Sequence, residues 1–150
     1  MIAVRRKLLR ALAAGALVCA STAQGASGDD VDGLPRDEWR AIERVIGDQL
    51  AALRKGDGKR AYAHAIPALQ AQFGDADGFM RMVREGYGAL LTARYWEFLE
   101  GAVLDGVPVQ PLRLVLPDNT VLVALYQMQR DGAAWRIAGC VLAPSTVKAA

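Results

Sequence analysis

Two side chains in this sequence have the chemistry of a general base or a nucleophile, and each stands alone. His64 is the only histidine, and Cys140 is the only cysteine outside the first 25 residues. An imidazole titrates near neutral pH, so His64, with Tyr62 beside it, could move a proton if it faced a pocket. It reads equally as a half-exposed or core histidine, and that simpler role is the one adopted. A Cys-His dyad would need the last strand to face the helix of His64, whereas an apolar-flanked cysteine ordinarily serves as a small core residue.

Other chemistries lack their parts. Serine hydrolysis needs a nucleophile on a strained turn, but Ser27 and Ser145 lie near the ends and no G-x-S-x-G occurs. One histidine and one cysteine leave a zinc site dependent on two or more carboxylates. Asp30-Val31-Asp32-Gly33 and Asp75-Ala76-Asp77-Gly78 lack the spaced oxygens and distal Glu of a calcium loop. No metal or cofactor is expected.

A richer set is aromatic. Tyr87, Trp96, Phe98, Tyr126 and Trp135, with Met82, lie at helical or alternating spacings that could line an apolar pocket together with Tyr62 and His64. Strand alternation puts Trp96 with Phe98, Tyr126 with Ala124 and Met128, and Trp135 with Ile137 and Gly139. The same pattern also describes an ordinary core. Glu97, Glu100, Arg113, Gln127 and Arg136 alternate to the other face and read as solvated or interface positions.

The elements that must position these residues follow from pattern. Trp39, Ile42, Ile46, Leu50 and Leu53 recur every three or four residues, predicting an amphipathic helix from Pro35 to near Gly56. A short helix follows over Lys59–Ala65, and Pro67 ends it because the residue before a proline leaves the helical region. PALQAQF then makes another, stopped by Gly74. Asp75 or Asp77 caps a helix with the stripe Phe79, Met82, Val83, Gly86, Tyr87 and Leu90, whose glycines suggest close packing or an early end.

After Thr92 the period becomes two. Strands are predicted over Tyr95–Val103, Val107–Leu116, Val121–Gln129 and Trp135–Leu142, with turns at Asp105-Gly106, Pro117-Asp118-Asn119 and Asp131-Gly132. Pro108 and Pro111 cannot donate to a ladder, which predicts a sheet edge for the first half of the second strand. Helices first and a four-stranded antiparallel meander after them define an α+β domain with the helices on one face.

The first 25 residues carry Arg5, Arg6, Lys7 and Arg10, then an apolar run from Leu8 to Ala20, then small residues. That is the layout of a secretory signal peptide. The run is shorter than the about 20 residues needed to span a bilayer. Cys19 follows Val18, a branched residue where lipoprotein processing requires a small one. The expected organisation is therefore a signal over 1–25, a disordered leader over 26–34, one domain over 35–145 and a tail over 146–150. Removing the signal takes four of 18 basic residues and leaves 14 against 16 acidic ones, near net −2. A basic surface for nucleic acid is not supported.

Three segments together resemble a bacterial family catalogued as domain of unknown function 4864: KRAYAHAIPALQAQFG, FMRMVREGYGAL and AAWRIAGCVL. The shared features are Pro67, Phe73-Gly74, Phe79, Met82-Val83, Tyr87, Trp135-Arg136-Ile137 and Gly139-Cys140. Ile66 departs from the pattern, which usually carries a small residue there, commonly Ser. The closing strand is also similar to that of the nuclear-transport-factor-2-like superfamily. This second resemblance implies a cone, with a curved sheet around helices and a pocket on its concave face that is either used or filled.

The resulting expectation is an exported, periplasmic or secreted, non-catalytic module. Its expected partners are a small hydrophobic ligand and a second copy through the sheet, with no nucleic acid and no membrane after signal cleavage. The alternative is an isomerase or dehydratase with His64, Tyr62 and Tyr126 at its centre. A third reading is an accessory subunit of an envelope complex. The enzyme needs an open pocket with His64 or a carboxylate in it, and the module reading expects a filled cone.

Overall fold

The computed structural model describes residues 30–31 and 33–145. The predicted signal, all but the end of the predicted leader, and the predicted tail lie outside these residues. At the leader's end, β1 (Asp30–Val31) pairs antiparallel with β2 (Leu34–Pro35).

α1 (Arg36–Arg54) follows, with Asp37 and Glu38 in its first turn, where negative charge meets the positive end of the helix dipole. It buries Trp39, Ile42, Ile46, Gln49, Leu50 and Leu53. Ile42, Ile46 and Leu50 are almost wholly removed from water, each contributing about 1.5–3 kcal/mol. α2 (Gly58–Ala63) is capped by Asp57, whose carboxylate accepts from the Arg60 N–H. α3 (Pro67–Phe73) starts with proline at a position whose N–H would be unused, and ends at Gly74 with φ +80°.

The hydroxyl that the resemblance places at position 66 would sit at the N-cap of α3, a place where serine accepts from the first turn. Ile66 makes no such side-chain bond. α4 (Ala76–Gly86) is capped by Asp75, which accepts from Gly78 N–H at 2.7 Å. The chain then breaks at Tyr87, φ −131°, before α5 (Gly88–Thr92). The two glycines therefore mark the early end of one helix and the start of another.

The sheet has the order β3 (Tyr95–Phe98), β5 (Val107–Val115), β6 (Val121–Asp131), β7 (Ala134–Pro144), and β4 (Ala102–Leu104) also pairs with β5. All its neighbours are antiparallel. With the helices packed against this sheet, the domain is α+β. The predicted first strand is thus two strands. Asp105 and Gly106, φ +50° and +78°, turn the chain from β4 into β5 as a two-residue hairpin of this type requires.

The edge predicted for the first half of β5 holds only at its start. Val107 and Pro108 pair with β4 alone, whereas from Val109 onward β5 lies between β4 and β3 on one side and β6 on the other, so Pro111 is interior. That proline is tolerated because the neighbouring strand is interrupted at Leu99–Gly101 and a side chain supplies the missing donor. Leu99 N–H donates to Pro111 O, and the Gln110 amide donates to Leu99 O at 2.6 Å, where a Pro111 N–H would have bonded.

The face parity of β7 is also corrected. Gln127 pairs with Gly139 but Met128 with Ile137, so Ala138 is an extra residue in the ladder. Such a bulge bends its strand and reverses the alternation beyond it. Trp135 and Ile137 are buried on the inner face; past the bulge Cys140 and Leu142 join the core-facing set, and Gly139 moves opposite exposed Gln127.

Candidate ligand cavity

The bend leaves room between the helices and β6–β7. A cavity of about 220 Å³ lies there, walled by Gln49 and Leu53 of α1, Leu69 and Phe73 of α3, Phe79, Met82 and Val83 of α4, Tyr87 and Leu90 beside α5, Tyr126 of β6, and Ile137, Gly139 and Cys140 of β7, with Ala65 and Gln72 completing it. The wall is mostly apolar. Aromatic packing stiffens one side, with Phe79 5.8 Å from both Tyr62 and Phe73, ring to ring.

Of the sequence candidates, the cavity gathers Met82, Tyr87 and Tyr126. His64 does not line it. His64 terminates α2, its carbonyl accepts the Ile137 N–H at 2.8 Å, and the Ile66 N–H returns a bond to Ile137 O. Residues 64–66 thus cover part of the open edge of β7. Burial pushes the His64 imidazole pKa below its ordinary value, opposed by Asp48 and reinforced by Arg60 and Arg136. Tyr62 packs beside the wall and clasps α3: its hydroxyl donates to Gln70 O, and the Gln70 amide donates to Tyr62 O and Ala65 O.

Trp96 and Phe98 pack edge to face at 5.4 Å and against the core, away from the cavity wall. Trp135 joins α1 to the β6–β7 hairpin. Its Nε1 donates to Glu38 at 2.6 Å, and Arg130 stacks 4.5 Å over its ring while pairing with Glu38 at 2.5 Å. The bond from Trp135, then Arg130, holds the Glu38 carboxyl below its ordinary pKa. On the outer face Glu97 and Arg113 form a cross-strand ion pair, and Arg136 bonds Asp131 at 2.7 Å.

The ionisable groups on the cavity wall are Tyr87, Tyr126 and Cys140, and burial drives all three toward their neutral forms. It raises both tyrosines, Tyr126 far above its ordinary value, and pushes the Cys140 thiol up to about 12. Among the described residues no carboxylate or imidazole lines the cavity. None of these wall groups exchanges a proton readily near pH 7. The arrangement can hold a small apolar molecule and present neutral polar groups to it. Among the described residues no cluster of three or more histidine, cysteine or carboxylate side chains is placed to hold a metal.

Gln49, Cys140 and most of the aliphatic wall escape a reading by sequence. Gln49 had a signal, since it occupies the apolar stripe three residues after Ile46 and four before Leu53. Cys140 reads as a small core residue from its apolar flanks, but its place on the cavity wall had no signal, because the bulge that turns it inward leaves no mark in the alternation.

An α+β domain with a bulged antiparallel sheet closed over an apolar cavity is the class that this fold and site define. The chain belongs to the family described as domain of unknown function (DUF4864), whose profile matches residues 36–150. No curated protein matches it.

Proposed function

We propose that this protein is a non-catalytic module, acting after export, that binds a small hydrophobic ligand in the cavity between α1, α3, α4 and β6–β7. The observation that carries this reading is an apolar cavity of about 220 Å³ whose wall offers no group that titrates near neutral pH. An engineered cavity of roughly 150 Å³ suffices for benzene. The isomerase or dehydratase reading is weaker because His64 spends its position on the edge of β7 rather than on the cavity. The cone of the nuclear-transport-factor-2-like superfamily is part of the proposal, supported by the bulged sheet that curves over α1.

The test is titration of the protein with p-xylene, followed through the Met82 methyl resonance and the melting temperature. Saturable shifts and a rise in Tm are expected, since a ligand that binds only the folded state stabilises it. Absence of both would end the reading.

A second copy is the proposed protein partner, through the outer face of the sheet. Register aligns Pro111, Leu125 and Val141 in one row, and Arg113, Val123 and Ala143 in the next. A solvated antiparallel face is normally polar; Val141 here is 54% exposed. Because Arg113 is already neutralised by Glu97, this face would not repel its own copy. Sedimentation should show a dimer at high micromolar concentration and a monomer for Val141→Asp, and a strict wild-type monomer would exclude it.

A further inference from the structure

We infer that the cavity selects an uncharged apolar molecule bearing one hydroxyl group, an alcohol or a phenol, whose head is held by Gln49 and Tyr126. The inference rests on the ligand-binding reading above and specifies its chemistry.

Most polar side chains around the cavity have spent their donors. Tyr87 gives its hydroxyl proton to Cys140 O at 2.8 Å, Tyr62 gives its own to Gln70 O, and the Gln70 amide bonds two carbonyls. Among the fully buried side chains of the wall, two groups keep unused capacity. Gln49 is 4% exposed and lines the cavity; its nitrogen donates to Ala61 O at 3.3 Å, which fixes the amide orientation. Its oxygen accepts none of the described hydrogen bonds.

Tyr126, 1% exposed, also lines the cavity, and its hydroxyl makes no hydrogen bond to any nitrogen or oxygen. The one group that engages it is the Cys140 thiol, its neighbour across the ladder, through a side-chain hydrogen bond that is weak because sulfur is a poor acceptor. Buried polar groups are well paired in the great majority of folded proteins, so a donor engaged only by a thiol and an uncommitted acceptor on one wall call for a better partner.

A hydroxyl is the smallest group that both accepts from Tyr126 and donates to Gln49. A ketone or ether satisfies only the first. A carboxylate or ammonium would enter without a counter-ion, since no charged side chain lines the wall. The Tyr126 oxygen has less than 1 Å² of accessible surface, so the ligand head reaches it as neighbouring side chains shift, breaking no strong bond.

The test compares p-cresol, p-xylene and 4-methylbenzoate by calorimetry on the wild-type chain, Tyr126→Phe and Gln49→Met. p-Cresol and p-xylene differ only by hydroxyl against methyl. The wild type should bind p-cresol about tenfold more tightly than p-xylene, as one or two net hydrogen bonds give, and should not bind 4-methylbenzoate. Tyr126→Phe should cut the preference to about threefold while still binding p-xylene, which also shows that the variant is folded. Gln49→Met should reduce it similarly. Equal binding of p-cresol and p-xylene by the wild type, or a preference unchanged in both variants, overturns the inference and leaves the binding reading standing. Failure of p-xylene and p-cresol alike overturns the binding reading itself.

Discussion

The two ends of the sheet handle buried polarity in opposite ways. At the β3–β4 break, Gln110 is 1% exposed and its amide nitrogen serves both Leu99 O and Pro111 O, at 2.6 and 3.1 Å. Nearby, a Cβ on Gly101 would fall 2.4 Å from the Trp39 ring. Space is filled there, and the donor side of the Gln110 amide is committed to two carbonyls. At the β6–β7 bulge, Gln49 and Tyr126 are equally buried, yet each keeps capacity unspent beside a cavity. The first end behaves as framework, where the buried amide of Gln110 answers a backbone defect. The second leaves capacity that no nitrogen or oxygen of the described fold answers, and such capacity marks a place for something else.

The sharpest way to break this contrast is Gly101→Ala. A methyl group at 2.4 Å from Trp39 Cζ3 requires the ring or the β3–β4 link to move, and overpacking of this kind costs about 1–3 kcal/mol. Chemical denaturation should place the variant near the top of that range. A wild-type midpoint would mean that this end is as loose as the other.

Gln110→Met keeps the volume and deletes the amide. Leu99 O then loses its side-chain donor, at a cost of about 1 kcal/mol. Tyr126→Phe is the counterpart at the other end: it removes a hydroxyl engaged only by the Cys140 thiol, so stability should change by less than about 0.5 kcal/mol or rise slightly. The same denaturation experiment reads both. If Tyr126→Phe costs as much as Gln110→Met, the Tyr126 hydroxyl is framework after all.

How far the sequence discloses this contrast differs between the ends and depends on whether the determinant is local. α3 reads directly because Pro67 and Gly74 bracket it, and the hairpin at Asp105-Gly106 reads because positive φ at both positions demands such residues. The placement of β5 does not, since the rule that proline marks an edge assumes nothing replaces its N–H, and here Gln110 does. The cavity wall is legible at Met82, Tyr87 and Tyr126, where spacing alone fixes the face. It is illegible at Cys140, because one inserted residue, Ala138, reverses the count beyond it. Trp135 has the right face but the wrong depth, drawn to Glu38 across 97 residues of chain and to Arg130 within its own hairpin.

The smallest expected effect concerns His64, which sits between the two behaviours as a titratable side chain used through its backbone. Burial lowers its folded-state pKa beneath the ordinary 6.5, with Arg60 and Arg136 adding to the effect and Asp48 opposing it. A base whose folded pKa is depressed disfavours protonation in the native state. Its contribution to stability is therefore full above pH 6.5 and declines as pH falls below that value toward the folded pKa. Denaturation midpoints measured from pH 8 to pH 5 should fall through this window in the wild type and fall less in His64→Gln, which keeps the carbonyl bond to Ile137 and removes the titration. Because the imidazole does not line the cavity, p-xylene affinity in the same variant should be unchanged across that range. A matching loss of affinity on acidification in the wild type, absent in the variant, would instead tie His64 to the ligand and reopen the proton-transfer reading.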